Sequence, residues 1–114
     1  MTGARGTDIF RHDRDVPWIE LGGGVKRKVL TWDESLMLVR VAFDKGGIGA
    51  PHSHPHIQST MVLSGSFEMT IGDRTSIIRT GDCYIVPTGV VHSVVCLEAG
   101  ELLDAFTPMR ADFV

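Results

Sequence analysis

The residues best suited to chemistry are three histidines and a glutamine. His52, His54 and Gln58 lie in the segment PHSHPHIQS, and His92 follows in VPTGVVHS. Alternate residues of an extended strand point to one face. Imidazole is the commonest metal-ligand side chain, and a glutamine can add a neutral carbonyl oxygen. The pattern predicts a divalent metal site held by His52, His54, Gln58 and His92, with His92 arriving from a neighbouring strand.

His56 has the same parity as these residues, and its role is left open. Pro51 and Pro55 favour an extended backbone around it. The same two prolines can turn His56 out of register, so ligation and a contact to a neighbouring ligand or to substrate are both compatible with the pattern. The alternative for the whole segment is a histidine-rich surface loop without function, which would be the better explanation for a single histidine.

The bulk composition indicates one domain and excludes several kinds of partner. The chain has 114 residues, 43% hydrophobic and 22% charged, so it can bury a core. A net charge of −3 and the absence of a basic stripe argue against nucleic acid. No apolar run approaches the ~20 residues of a membrane span. The N-terminus lacks the apolar core of a secretion signal, so we expect a cytoplasmic protein with reduced cysteines.

Short strand-like segments separated by turn signals predict an all-β sandwich or barrel. The turn signals are Ser64–Gly65, Gly72–Asp73, Gly81–Asp82, Thr88–Gly89 and Ala99–Gly100. The segment Asp33–Glu34–Ser35 fits either a helical turn or a hairpin turn. Residues 1–15 are predicted to be a flexible N-terminal arm, or an edge strand that pairs with a partner subunit, and residues 16–114 to be the barrel.

The spacing of glycines and histidines resembles the two motifs of the cupin family. The first motif matches Gly46, His52, His54, Gln58 and Gly65, and the second matches Gly81, Pro87, Gly89 and His92. The resemblance implies a double-stranded β-helix, or jelly-roll barrel, in which the glycines and Pro87 are structural. Many cupins have Glu in place of Gln58 and Asn in place of Cys96. A neutral Gln58 leaves a bound metal more electrophilic, which favours Lewis-acid chemistry.

Alternation in LLDAFTPMRADFV places a carboxylate inside the barrel if Leu102, Asp104 and Phe106 face inward. A buried carboxylate is costly unless it has a partner. One interpretation is that Asp104 pairs with Arg110 or Arg40 and only stabilises the fold. The other is that Asp104 takes part in a reaction.

From about residue 17 to 114 the chain resembles the small cupins of the KdgF type, which linearise unsaturated uronates. The matching pieces include WIELGGGVKRKVL, GDCYIVPTGVVH and DAFTPMRADF. Carried over by position, the resemblance implies metal ligands His52, His54, Gln58 and His92, and working residues Asp104, Phe106 and Arg110. It implies a divalent ion (Zn, Ni, Mn or Fe), a small anionic carbohydrate as substrate, and a homodimer whose N-terminal strands pair across subunits.

The implied reaction opens a cyclic 4,5-unsaturated uronate, a product of pectin or alginate lyases, to a 4-deoxy-5-keto uronate. Asp104 would act as general acid or base, Arg110 would pair with the sugar carboxylate, and Phe106 would form an apolar wall. The alternatives are an Fe(II) dioxygenase, a non-enzymatic sugar- or metal-binding module, and an isomerase or cyclase for another carbonyl compound.

Six other positions carry weaker expectations. Trp18 and Trp32 are expected in the core or in a dimer interface. Residues 26–28 mostly form a solvated face, although one of them could reach an anionic substrate at the barrel mouth. Cys96 is either a core residue or part of the pocket wall.

Overall fold

Eight β-strands make up most of the structure, a computed structural model that describes residues 6–114. The strands are β1 (Ile19–Gly22), β2 (Val25–Trp32), β3 (Met37–Phe43), β4 (Ile48–His52), β5 (Ile57–Ile71), β6 (Arg74–Arg79), β7 (Cys83–Val86) and β8 (His92–Thr107). Two short 3-10 helices lie at Asp13–Asp15 and Ala111–Phe113. Within residues 6–114 there is no α-helix, and no helix there has the length and apolarity to cross a membrane. The all-β prediction is confirmed.

The strands form two antiparallel layers that share β5 and β8. One layer runs through β1, β2, β3, the second half of β8, the first half of β5 and β7. The other runs through β4, the first half of β8, the second half of β5 and β6. Two antiparallel layers that close around one core form the predicted jelly-roll barrel.

The two longest strands pass from one layer to the other through a bend at their midpoints. The register between β5 and β8 shifts repeatedly there. Gly65 has φ of +83°, and a Cβ at this position would lie 2.5 Å from the carbonyl oxygen of Glu98. Only glycine fits such a close backbone approach at positive φ. The turns predicted at Ser64–Gly65 and Ala99–Gly100 are therefore wrong, because both pairs lie inside continuous strands.

The other predicted turns do separate strands. Gly72–Asp73 lies between β5 and β6, Gly81–Asp82 between β6 and β7, and Thr88–Gly89 between β7 and β8. Asp33 closes a hairpin between β2 and β3, since its Oδ1 accepts hydrogen bonds from the backbone of Ser35 at 2.8 Å and of the next residue at 3.2 Å. The helical alternative for this segment is wrong.

Apolar side chains fill the barrel in two clusters. The larger includes Phe43 and Phe67, whose rings meet edge to face with centroids 5.3 Å apart. Cys96 belongs to this cluster and is 1% exposed, so it is a core residue. Both cysteines are free thiols. The smaller cluster is built on Met37, Val39 and Phe106 and lies beneath the C-terminal segment.

The predicted N-terminal arm includes residues 1–5, which lie outside the described residues. Further along the arm, the Asp13 carboxylate accepts hydrogen bonds from Lys28 and Arg40. The Lys28 ammonium also lies 4.7 Å from the centroid of the Trp18 ring. These contacts hold this part of the chain against the outer face of β2 and β3.

Candidate metal centre

His52 and His92 are direct cross-strand partners, although forty positions separate them. His52 ends β4, His92 begins β8, and their ring centroids lie 4.2 Å apart. His54 follows in the loop before β5, with its ring centroid 4.9 Å from that of His92. The prediction that one extended strand aligns residues 52–58 is wrong, because β4 ends at His52 and β5 starts only at Ile57. Strand pairing and a loop, rather than strand parity, bring the histidines together.

A backbone carbonyl orients each of the three rings. The Nδ1 contacts are His52 with Ala50 O at 2.7 Å, His54 with His56 O at 3.2 Å, and His92 with Val90 O at 3.0 Å. Because a carbonyl can only accept, Nδ1 carries the hydrogen and Nε2 keeps a free lone pair. The three rings place their ligand atoms within 4.8 Å of one another. We call these three residues the histidine cluster.

Two features of the cluster are explained by a bound cation. The Nε2 atom of His92 is buried and has no hydrogen-bond partner among residues 6–114. The Nε2 atom of His54 faces the Gln58 Oε1 atom at 3.1 Å. The His54 Nε2 and the Gln58 Oε1 are both acceptors and repel each other. A cation coordinated by both atoms would remove this repulsion. The three imidazoles and the amide oxygen therefore fit a divalent metal ion.

The buried histidines are held in the protonation state that binds metals. Burial lowers the pKa of His54, partly offset by its contact with Gln58. Burial also lowers the pKa of His92, partly offset by its contact with Val90. Both rings are consequently neutral near pH 7, and neutral imidazole is the form that coordinates a metal.

The Gln58 amide connects the histidine cluster to Asp104. Its Nε2 donates to Thr60 Oγ1 at 3.0 Å and to Asp104 Oδ1 at 3.3 Å. These two bonds point the amide oxygen toward His54. The neutral side chain can therefore serve as a ligand on one side and as a hydrogen-bond donor to a carboxylate on the other.

Asp104 lies on β8 with its side chain in the barrel, as the alternation predicted. It is 8% exposed and accepts a hydrogen bond of 2.6 Å from Thr60 Oγ1. Burial raises the pKa of Asp104 to about 6, against the opposing effect of the bonds from Thr60 and Gln58. A carboxyl with this pKa can both take and return a proton near neutral pH.

Neither arginine proposed as an ion-pair partner contacts Asp104 directly, although the Arg110 charge acts to lower the Asp104 pKa. Arg40 forms a two-point contact with Glu101. Arg110 donates from Nε to Asp112 Oδ1 at 3.1 Å and from Nη2 to Oδ2 at 2.8 Å. The predicted salt bridge between Asp104 and either arginine is therefore wrong, because neither pairs with it among residues 6–114.

One cavity of about 260 Å³ brings the two groups of predicted residues together. Its lining includes His52, Gln58, His92, Asp104, Phe106 and Arg110. Phe106 forms a wall and meets the His54 ring edge to face at 5.6 Å. The volume lies just below the roughly 300 to 1,000 Å³ of pockets for drug-sized ligands, which favours a ligand of one sugar ring.

His56 contacts the C-terminal segment. Its Nε2 lies 3.1 Å from the carbonyl oxygen of Met109. Its backbone carbonyl also accepts from the His54 ring. His56 thus positions a neighbouring ligand and links the loop to the segment that closes the cavity.

Two polar residues of the site were missed by the sequence analysis. Thr60 is 1% exposed and bridges Gln58 to Asp104. Tyr84 on β7 lines the cavity, and burial raises its pKa above the ordinary value, so its hydroxyl stays protonated. Thr60 has the parity of Gln58 on the same strand, and that signal could have identified it.

Comparison with known proteins agrees with this geometry. A family profile described as the cupin domain matches residues 39–106. The pectin degradation protein KdgF of Dickeya dadantii is 49% identical over 104 residues, which cover 90% of this chain and 94% of that protein. This protein is a KdgF-like cupin.

Solved structures of other cupins superimpose over nearly the whole KdgF-like chain. An RmlC-like cupin from Shewanella frigidimarina gives a TM-score of 0.94 at 35% identity, covering 96% of this chain and 99% of that one. KdgF from Halomonas sp. gives a TM-score of 0.90 at 32% identity, covering 95% and 100%. The predicted barrel and the resemblance stated from the motifs are both confirmed.

Proposed function

We propose that this KdgF-like cupin opens cyclic 4,5-unsaturated uronate monomers to 4-deoxy-5-keto uronates with a divalent metal ion at the histidine cluster. Its Dickeya relative, 49% identical, is named a pectin degradation protein. The observation that carries the proposal is the placement of Asp104. This buried carboxyl has a pKa of about 6 and accepts a hydrogen bond from Gln58, which is one of the predicted metal ligands. Both residues line the same cavity.

His52, His54, His92 and Gln58 would hold the metal. All four donors are neutral, so the net charge of a divalent ion would not be cancelled by its ligands. When bound, such an ion supplies Lewis-acid stabilisation of the negative charge that develops on substrate oxygens. The carbonyl contacts to the three Nδ1 atoms keep the rings in place for this role.

Asp104 would carry the proton through the reaction. It takes the proton of the anomeric hydroxyl, C1 and that oxygen become a carbonyl, and the bond from C1 to the ring oxygen breaks. The electron pair of this bond leaves an enolate at C5, and C4 then receives the proton from Asp104. One proton moves from oxygen to carbon, and the product is an isomer of the substrate without any redox change.

The remaining predicted residues would shape the cavity around the sugar. Phe106 offers an apolar wall, and its ring lies 5.1 Å from the Arg110 guanidinium. Arg110 adds positive charge at the mouth, which favours an anionic ligand. Tyr84 would supply a neutral hydroxyl to a sugar oxygen.

Turnover of the unsaturated monomer tests the proposal directly. A lyase digest of pectin or alginate provides the monomer, and loss of its conjugated absorbance reports ring opening. We expect metal-loaded protein to accelerate this loss far above a protein-free reaction. No acceleration with metal bound in the site would rule the proposed reaction out.

The same preparations separate the alternative functions. Oxygen uptake by the Fe(II)-loaded protein with a catechol, flavonol or thiol would indicate a dioxygenase. Uronate binding without turnover, unchanged in an Asp104→Ala variant, would indicate a binding module. Turnover of a different carbonyl compound that still needs Asp104 would indicate another isomerase.

A further inference from the structure

Arg27 projects into the cavity from β2, whereas its two lysine neighbours point away from it. Lys26 and Lys28 lie against Trp18 on the outer face, at 4.8 and 4.7 Å from the ring centroid. Arg27 lines the cavity together with Asp104. The alternation of β2 thus places one cation of the basic run inside the mouth of the barrel.

Among residues 6–114 the Arg27 guanidinium forms no salt bridge, although the Asp112 charge acts to raise its pKa. Its Nε atom is buried and makes no hydrogen bond within the described part of the chain. Burial and the nearby Arg110 charge lower the pKa of Arg27. A buried, unpaired donor on a cation is costly, and a bound anion would remove that cost.

Arg110, the other arginine of the cavity, already has such a partner. Both its Nε and its Nη2 donate to the Asp112 carboxylate, which occupies that two-point face of the guanidinium. The Arg110 side chain is only 12% exposed. Of the two cavity arginines, Arg27 is the one whose Nε has no hydrogen-bond partner among residues 6–114.

Phe113 holds the two guanidinium groups close to each other. The Arg27 Cζ atom lies 3.7 Å from the centroid of the Phe113 ring, and the Arg110 Cζ atom lies 4.2 Å from it. The ring itself meets Phe106 edge to face at 5.7 Å. Arginine stacked on an aromatic ring loses little further freedom when it binds an anion.

We propose that Arg27 binds the carboxylate of the sugar acid and so determines that the cavity selects uronates over neutral sugars. This inference rests on the proposed function for the identity of the ligand. It assigns to Arg27 the carboxylate contact that the sequence predicted for Arg110. Arg110, whose Nε and Nη2 donate to Asp112, would instead pack against Phe106 and Phe113 and complete the wall.

Binding of a saturated uronate tests the assignment without requiring turnover. Metal-loaded wild type, Arg27→Gln, Arg27→Lys and the exposed-surface control Arg79→Gln would be titrated with galacturonate and with galactose, followed by calorimetry or NMR. We expect wild type and Arg79→Gln to prefer galacturonate. Arg27→Gln should bind it roughly 10- to 100-fold more weakly and lose the preference, the loss expected for a hydrogen-bonded ion pair. Arg27→Lys should retain part of the preference.

A kinetic measurement separates this proposal from the proposed function. If wild type turns over the unsaturated monomer, Arg27→Gln should raise KM by a similar factor with a much smaller change in kcat. If wild type shows no turnover, the proposed function fails, and the galacturonate titration still decides the role of Arg27. Arg27→Lys, which keeps the charge and the stem, serves if Arg27→Gln does not fold. Equal affinity of wild type and a folded Arg27 variant for galacturonate, or no preference in wild type, would overturn the proposal.

Discussion

Thr60 and Asp104 face each other across β5 and β8, and the Thr60 hydroxyl donates a 2.6 Å hydrogen bond to the buried carboxyl. The neighbouring pair on the same two strands is Gln58 opposite Phe106. Because β5 runs from the histidine cluster into this pairing, the backbone register sets the distance between the predicted metal ligands and the predicted proton carrier.

Replacing Asp104 by Asn should abolish most of the activity with little effect on the fold. Asn keeps an acceptor for Thr60 and Gln58 but cannot carry a proton at neutral pH. We expect kcat for the unsaturated uronate to fall by roughly 10²- to 10⁴-fold, the usual contribution of a general acid or base. Asp73→Asn, in the exposed turn between β5 and β6, is the matched control and should retain full activity. Equal activity of the two variants would remove Asp104 from the mechanism.

Asp104 should destabilise the metal-free protein increasingly as the pH rises. Its pKa of about 6 in the folded protein lies above the ordinary value of 3.8. Between these values the Asp104 carboxyl binds more protons in the folded than in the unfolded state, so its contribution to the free energy of unfolding falls with increasing pH and levels off above pH 6. This shift in pKa corresponds to a change of about 3 kcal/mol at most in the free energy of unfolding.

Urea unfolding of wild type and Asp104→Asn in the presence of a chelator measures this effect. The free energy of unfolding of the variant should rise relative to that of wild type from about pH 4 to pH 6, and the difference should then stay constant. The lowered pKa values of His54 and His92 act in the opposite direction in both proteins, so the difference between the two proteins is the quantity to follow. A difference that does not change with pH would contradict the raised pKa.

Removing His92 should abolish metal binding. Its Nε2 atom is buried without a hydrogen-bond partner among residues 6–114, the ligand atoms of the three histidines lie within 4.8 Å of one another, and Ala leaves no donor there. In wild type, added Zn²⁺, Ni²⁺, Mn²⁺ or Fe²⁺ should raise Tm in a concentration-dependent way, since a ligand of the folded state stabilises it. His92→Ala should lose this response, whereas the exposed His12→Ala control should keep it. Retention of stoichiometric metal by His92→Ala, measured by elemental analysis, would refute the assigned site.

Gln58→Glu should strengthen metal binding and move the acid limb of the activity profile to higher pH. The added carboxylate attracts a divalent ion, but it also removes the amide donor to Asp104 and places a negative charge beside it. Both changes raise the pKa of Asp104, and we expect a shift of about one unit in the acid limb of kcat against pH. Metal affinity and the pH profile would be measured on the same preparations. An unmoved acid limb would show that Asp104 is not the titrating group.

The bend in β5 should depend on Gly65. Ala at this position would combine positive φ with a Cβ 2.5 Å from the Glu98 carbonyl oxygen, whereas Gly81 has φ of +89° and a Cβ there would have no neighbouring atom within 4 Å. Gly81→Ala should cost about 1 kcal/mol for the backbone conformation alone, and Gly65→Ala several times as much. Chemical denaturation measures both, and equal costs would show that the close approach has no energetic effect.

The candidate metal ligands could be predicted because donor chemistry is a property of residue type. Three imidazoles and a neutral amide retain their ligand character wherever they lie, and the spacing of the motif placed them on one barrel. Alternation along the last strand likewise predicted that Asp104 and Phe106 face inward. The glycines predicted the turns less well. Gly72 lies in a turn and Gly65 in a bend within a strand, and both have positive φ, so the residue type does not distinguish the two.

The sequence by itself therefore determined the all-β class, the histidine cluster with its neutral amide, and the inward face of β8. Only the tertiary structure decided how these parts act on one another. The pairing of His52 with His92 and the raised pKa of Asp104 depend on strands that are distant along the chain. The same holds for the contact of Arg110 with Asp112 and for the buried Arg27 Nε that has no partner among residues 6–114. Burial and ion pairing arise from which groups meet in space, and local sequence does not specify those partners.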